Sequence, residues 1–346
     1  MDLGYGAHAK LEDLEQNGHS LLSLFSGCGG LDLGFHQAGF ETALAYDKRA
    51  DSLSSWRKRF PKGKAFERDI LSLTVDQIDA DFGGKFMPAG VIGGPPCQGF
   101  SLANRYGGTH DPRNKLVHRF FDVALSLHER SPLTFIAMEN VPALAGSRGG
   151  GILDKEIARV QESGFLVTVA TMNALEYNVP QDRRRLFLVA LSKEAAQSAW
   201  VVPEKSEERR TVRQALGDLP KPAFWERHLR TEDIPFHPNH WCMAPKSTKF
   251  VSGELSEGFV AKRSFKTLSW DRPSYAASYG NREVHVHPNC TRRLSVFEAM
   301  ILQGFPRDMV LSGSLSTQVQ QVSEAVPPPL AFAVARSILT QVQPRL

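Results

Sequence analysis

Short apolar runs alternate with helix-like stretches through roughly the first 190 residues, and that alternation restricts the fold more than any other feature of this chain. Leu21–Phe25, Glu41–Tyr46, Val91–Gly93, Thr134–Met138, Leu166–Thr171 and Leu186–Leu191 read as strands. Between them Leu31–Ala38 starts a helix, Ser52–Arg59 is polar and amphipathic, and Leu116–Leu127 carries apolar residues at helical spacing. This is the pattern of a mainly parallel α/β sheet. With 346 residues, 42% of them hydrophobic, the chain can fill one large domain or two. No apolar run approaches the length of a bilayer span, and residues 1–19 read as a polar, acidic-leaning leader without a signal pattern.

After residue 192 the regularity fades. Order returns at Ser295, which with Glu298 matches a capping box, and Gly304-Phe305-Pro306 supplies a stop. A last helix is expected from Leu330 to Gln341, behind Pro327-Pro328-Pro329. The simplest division is a large α/β domain interrupted by a smaller, irregular one. The interruption, residues 193–290, holds about 15 Lys and Arg against about 12 Asp and Glu, within a net charge of only +4. Trp225, Trp241, Trp270, Tyr275 and Tyr279 are interspersed there with Lys246, Lys249, Lys262, Arg263 and Arg282. Basic residues among aromatics suit groove and phosphate contacts, although many of those rings must also serve a small core. His237, His240, Cys242, His285, His287 and Cys290 match no zinc-finger spacing, so no metal is expected. Cys28, Cys97, Cys242 and Cys290 are scattered, which fits a reducing compartment better than a disulfide framework.

Two segments point to chemistry. The first is a strand, then Gly27-Cys28-Gly29-Gly30, then a helix, a recipe for holding a nucleotide-like ligand. Asp47 ends the next strand about 20 residues on, where an acid accepts hydrogen bonds from ribose hydroxyls. These parts suit NAD as readily as S-adenosylmethionine. The second is Gly93-Gly94-Pro95-Pro96-Cys97-Gln98-Gly99-Phe100-Ser101, which ends a buried strand and presents one thiol on a stiff turn. With no second thiol near it, a nucleophile is the leading reading. Residues 98–114, with Gly99, Gly107, Gly108, Arg105 and Arg113, read as a mobile loop able to close over a partner. Arg183 and Arg185 alternate with Asp182, Arg184 and Leu186 at a strand start, which points both to one face.

The Pro96-Cys97 run resembles the catalytic loop of the cytosine-C5 DNA methyltransferases, and further segments resemble that family in its own order. They are Leu24 through Gly30, Glu139-Asn140-Val141, Gln181 through Arg185, Arg292-Arg293-Leu294-Ser295 through Gln303-Gly304-Phe305-Pro306, and Ala325-Val326-Pro327-Pro328. Together they span residues 21 to 340. The resemblance implies an α/β class I S-adenosylmethionine-dependent methyltransferase, a Rossmann-like mainly parallel sheet with a smaller irregular target-recognition domain. It divides the chain into a leader (1–19), a catalytic and cofactor-binding domain (20–192), a target-recognition domain (193–290) and a C-terminal segment returning to the catalytic domain (291–346). Cys97, Glu139, Arg183 and Arg185 take the catalytic positions. The cofactor positions are Phe25, Ser26, Gly27, Cys28, Gly29, Gly30, Asp47, Lys48, Asp69, Ile70, Pro96, Leu116, Glu324, Ala325 and Val326. Among these, Phe25 packs on S-adenosylmethionine, Asp69 bonds the adenine amine, Ile70 lies against the ring and Leu116 lines the far side.

The implied reaction is methylation of a flipped-out cytosine in a specific duplex DNA sequence through a Cys97–C6 adduct. The implied setting is a cytoplasmic monomer acting on double-stranded DNA without a membrane, in a restriction-modification system with an endonuclease encoded nearby, or as an orphan enzyme. Two positions depart from the family: relatives often carry Asp where this chain has Ser23, and an Asn where it has Glu324. The alternatives are a tRNA cytosine-C5 methyltransferase, whose Cys-Phe-Thr signature is absent from the insert, and a catalytically inactive DNA-binding regulator, which the retained catalytic set opposes.

Overall fold

A computed structural model describes residues 19–96, 114–146, 149, 151–260, 265–277 and 285–342. Its frame is built from β1 (Ser20–Leu24), β2 (Glu41–Asp47), β3 (Lys64–Glu67), β4 (Gly90–Gly93), β5 (Phe135–Asn140), β6 (Phe165–Asn173) and β8 (Arg184–Ser192), with the two-residue β7 (Gln181–Asp182) preceding the last. The seven longer strands form one sheet in the order β3-β2-β1-β4-β5-β8-β6. From β3 to β5 the pairings are parallel, whereas β8 runs antiparallel to both β5 and β6. That reversal puts the beginning of β8 at the same edge as the ends of β1, β2, β4 and β5. In open α/β sheets this carboxyl edge is where ligands bind.

Helices cover both faces, which is why strands such as β5 are buried along their whole length. One face packs against α3 (Val75–Phe82), α4 (Asn114–Arg130) and α5 (Ile152–Glu162) through Ile78, Val117, Phe120, Phe121, Leu153 and Val160. The other packs against α1 (Gly30–Gln37) and α9 (Pro328–Gln341) through Leu31, Phe35, Leu330, Val334 and Ile338. A third apolar cluster joins α2 (Ala50–Arg59) to α7 (Val296–Leu302), α8 (Leu315–Glu324) and the insert residues Ile234, Trp241 and Leu268.

The capping box forms as expected: Ser295 Oγ accepts from Glu298 N, and Glu298 Oε2 accepts from Ser295 N. The last helix begins two residues before the expected Leu330, because proline at the first turn lacks only an N–H that would be unsatisfied there. Sequence reading assigned neither α5 nor α8. In α8 the Gln- and Ser-rich LSTQVQQVSE hides a narrow apolar stripe of Leu315, Val319 and Val322. The insert keeps few regular elements among the described residues: α6 (Val212–Leu216), β9 (Ala223–Phe224), β10 (Trp241–Cys242) and β11 (Ser274–Tyr275). β9 and β10 pair with each other, while β11 pairs with β7 and ties the insert to the sheet half. No helix among the described residues is long and apolar enough to cross a membrane.

Candidate active site at the carboxyl edge of the sheet

Glu139 lies next to the last residue of β5, buried between β4 and β8. In the antiparallel ladder it faces Phe187, and Arg185, two residues away on β8, projects from the same face. Arg185 Nε meets Glu139 Oε1 at 2.8 Å. Burial pushes the Glu139 carboxyl above its ordinary range, and the charges of Arg185 and Arg183 and the Arg185 hydrogen bond oppose that shift without cancelling it. On the β4 side the Gly94 backbone passes so close that a Cβ there would stand 3.1 Å from Glu139 Oε2. Asn140 Nδ2 donates to Pro95 O at 3.0 Å, fastening the Pro-Pro run to the end of β5. Cys97 and the 98–113 stretch lie outside the described residues, as do Lys262, Arg263, Tyr279 and Arg282.

The two arginines expected side by side share a face but do different things. Arg183 and Arg185 are inward while Asp182 and Arg184 are exposed, as strand alternation requires. Arg185 reaches Glu139. Arg183 is fully buried, and its terminal nitrogens donate to main-chain carbonyls: Nη1 to Ala277 at 2.8 Å, Nη2 to Ser323 at 2.8 Å and to Ala325 at 3.0 Å.

The Gly-rich turn sits at the same edge. Gly27 has φ +55° and open space where a Cβ would stand, and its N–H donates to Asp47 Oδ2 at 2.9 Å. Gly29 and Gly30 are small for another reason. A Cβ on Gly29 would lie 2.6 Å from the Phe60 ring, and one on Gly30 would lie 2.5 Å from Val326 O. Of the three glycines, Gly27 therefore leaves the backbone open, while the other two let α2 and the 325–326 segment pack against the turn. Phe25, half-buried beside it, holds φ 57°, a left-handed conformation that costs a non-glycine residue about 1–3 kcal/mol. Such strain persists only where surrounding contacts hold it.

Asp47 ends β2, half-buried, with Oδ1 accepting from Arg49 N at 2.9 Å. Burial raises its pKa, and the N–H groups of Gly27 and Arg49 counter that rise. Asp69 follows β3 on an exposed turn, where Oδ1 accepts from Leu71 N at 3.0 Å. Ile70, expected against an aromatic ring, is already 3% exposed within the core, while Leu71 beside it is 47% exposed. Cys28 is buried with its thiol pushed up to about 12 by burial, so it contributes backbone and not sulfur chemistry. Lys48 is exposed, Ser26, Gly29, Gly30 and Val326 are buried, and Pro96, Leu116 and Ala325 are half-buried.

The departure at Glu324 has a local explanation that the sequence did not offer. Glu324 Oε2 meets Arg49 Nη1 at 2.8 Å, and Glu324 Oε1 accepts from Gln320 Nε2 at 2.7 Å. A pair between the end of β2 and the end of α8 thus closes one side of the turn. At the other departure, Ser23 lies beside Asp32 on α1, with Thr42 and Trp56 also close. All four are buried, and the polar groups of Ser23, Thr42 and Trp56 line the Asp32 carboxyl. Burial lifts Asp32 to about 6, against the softening influence of Trp56, Ser23 and Thr42.

Three of the insert's histidines serve its core. His237 stacks on Phe297 at 4.0 Å between ring centroids, and His240 bridges Ser295 Oγ and Pro220 O at 2.9 Å each. His287 packs edge-on to Trp270. Arg292, in the segment resembling a family block, makes a buried two-pronged pair with Glu298 at 2.7 and 2.8 Å.

A mostly parallel seven-stranded sheet with Gly27, Asp47 and Asp69 along one edge and Glu139 beside it is the α/β class I methyltransferase fold. The chain belongs to the C-5 cytosine-specific DNA methylase family, whose model matches residues 19–340. It is 31% identical over 347 residues to the Type II methyltransferase M.MthTI of Methanothermobacter thermautotrophicus, covering 92% of this chain and 96% of that one. It is also 31% identical over 334 residues to M1.HphI of Haemophilus parahaemolyticus, covering 92% and 86%. Among solved structures, a protein encoded within an E. coli prophage superposes with a TM-score of 0.77 at 24% identity, over 93% of this chain and 99% of that chain.

Proposed function

We propose that this protein methylates C5 of cytosine in duplex DNA, using Cys97 as nucleophile and S-adenosylmethionine as methyl donor. The observation that carries this reading is the Glu139–Arg185 pair, buried against the Gly94–Pro96 run that leads into Cys97. Cys97 lies three positions beyond Gly94, a chain reach of at most about 11 Å. The thiolate of Cys97 bonds to C6, and negative charge develops at N3 and O2. Glu139, whose raised pKa favours the protonated carboxyl, gives its proton to N3. Arg185 supplies the positive charge at O2, and Arg183 contributes its field from behind without contact. S-adenosylmethionine, when bound, supplies an electrophilic methyl to the C5 that this addition has made nucleophilic. A base, water held near the site, then removes the C5 proton, the C6–S bond breaks by β-elimination, Cys97 leaves as thiolate and N3 returns its proton to Glu139.

The cofactor edge fits that donor. In this reading Asp47 accepts from a ribose hydroxyl and Asp69 from the adenine amine, a role supported by the open Gly27, which allows close approach of a ligand to the backbone. A base paired within a duplex cannot reach Glu139, so the target must be flipped out. Residues 193–290 are read as the target-recognition domain and 291–346 as the segment completing the cofactor side.

The test is covalent trapping. Duplex DNA carrying 5-fluorocytosine at the methylated position, with S-adenosylmethionine, should give a stable protein–DNA adduct, because fluorine at C5 blocks elimination. Cys97→Ser should give none while still binding DNA and cofactor. An adduct that survives in Cys97→Ser would refute the assignment, and trapping by RNA alone would redirect it to the tRNA branch.

A further inference from the structure

Arg183 has an unusual partnership for a buried cation. Its guanidinium is wholly enclosed, and three main-chain carbonyls accept hydrogen bonds from its two terminal nitrogens. One carbonyl, Ala277, belongs to the insert two residues beyond β11, the strand that pairs with β7. The other two, Ser323 and Ala325, flank Glu324 at the end of α8. That second segment lies directly on the Gly-rich turn: Val326 O occupies the space a Gly30 side chain would need, and Glu324 reaches back to Arg49. Gln303 holds the segment from behind, its Nε2 donating to Val322 O and Ala325 O at 2.7 Å each. One planar group therefore touches the insert and the cofactor lip at once.

We infer that Arg183 is a positioning residue that couples the cofactor turn to the insert, so that a ligand fixing residues 323–326 also orders the segment around Ala277. This rests on the proposed cofactor site. A guanidinium removed from water needs its hydrogen bonds kept, since a buried charge that loses partners is strongly disfavoured. Charge-assisted bonds of 2.8–3.0 Å on a rigid fork weaken steeply when either partner moves. The two carbonyl sets must therefore shift together or not at all. Because the contacts are to backbone, the insert can change its side chains without losing them. By linkage, whatever the cofactor does to the order of the insert, a ligand on the insert does to cofactor affinity.

The experiment is hydrogen exchange on the full chain with and without S-adenosylhomocysteine, which needs no knowledge of the DNA site. In the unmodified protein the ligand should slow exchange at residues 26–30 and also at 274–277, the latter by about fivefold or more. In Arg183→Lys, which keeps the charge but cannot span all three carbonyls, protection at 26–30 should remain and the ligand effect at 274–277 should vanish. A purely structural role would instead raise exchange at 274–277 equally with and without ligand. Protection of 26–30 without any change at 274–277 in the unmodified protein would overturn the inference, and that arm decides it even if Arg183→Lys does not fold. Full retention of the distal effect in a folded Arg183→Lys would overturn it as well. No protection anywhere and no thermal shift would overturn both this coupling and the cofactor reading beneath it.

Discussion

The sheet half and the insert between residues 193 and 290 are held together by different physics. In the sheet half, order comes from long strand ladders with apolar clusters on both faces. In the insert the described strands are two residues long, and order comes from an apolar cluster shared with α2, α7 and α8 and from buried polar contacts to distant parts of the chain. Trp241 Nε1 donates to Gln318 Oε1, Asn239 Nδ2 donates to Leu311 O, and His240 is held at Ser295. A ladder tolerates substitution because each rung is a backbone bond, whereas a side-chain network fails when one member goes. The arrangement suits a division of labour: a fixed frame for chemistry and a loosely patterned segment whose surface can vary.

Four substitutions probe that contrast. The largest expected effect is on the sheet side. Glu139→Gln should slow methyl transfer by about 10²–10⁴-fold while DNA binding holds, as measured by single-turnover transfer and by DNA affinity. The unmodified enzyme should lose rate as pH rises through the raised Glu139 pKa, because the protonated carboxyl is the active form, and the Gln variant should lack that limb. In the C-terminal segment that anchors the insert, Glu298→Ala leaves Arg292 buried without its carboxylate partner and removes one half of the capping box of α7. Denaturant unfolding should show a loss of about 3–5 kcal/mol, far above that for an exposed charge.

Asp32→Asn should act in the opposite direction. The folded pKa of about 6 lies above the ordinary carboxylate value, so the native state favours the neutral acid. Its contribution is full below pH 4, declines between pH 4 and 6, and beyond that becomes a constant penalty of roughly 3 kcal/mol. The Asn variant should therefore be more stable than the parent at pH 8 and equal to it below pH 4, as judged by unfolding across that range. A stability difference independent of pH would show that Asp32 stays charged in its pocket. The smallest effect belongs to Glu324→Gln. Its half-exposed pair with Arg49 should contribute under about 1 kcal/mol and fade with salt, measured as thermal stability at low and high ionic strength.

What the sequence revealed follows the same divide. Strands β1, β2, β4, β5, β6 and β8 were legible because each is a compact apolar run with buried neighbours, and the Ser295–Glu298 cap was legible because it is local. Glu139 and Arg185 were each legible as site residues, but that they pair depends on the reversal of β8, which no local pattern displays. Arg183 shared their pattern, but nothing in its neighbourhood indicated Ala277, Ser323 and Ala325, which lie 94 to 142 positions away. The Arg49–Glu324 pair was hidden for the same reason, at a separation of 275 residues. The roles of Gly29 and Gly30 required knowing what packs against them. Side-chain bonds across long loops leave no period for a sequence to display.

The most direct measurement exchanges residues 193–290 for the corresponding segment of a relative with a known target and maps 5-methylcytosine across the DNA of a host expressing the chimera. The account predicts methylation at the relative's sequence, still at cytosine C5 and still abolished by Cys97→Ser, because every residue assigned to the chemistry lies outside the exchanged segment. An active chimera that keeps the parent's sequence preference would contradict it and would move recognition to the sheet half or the 98–114 segment.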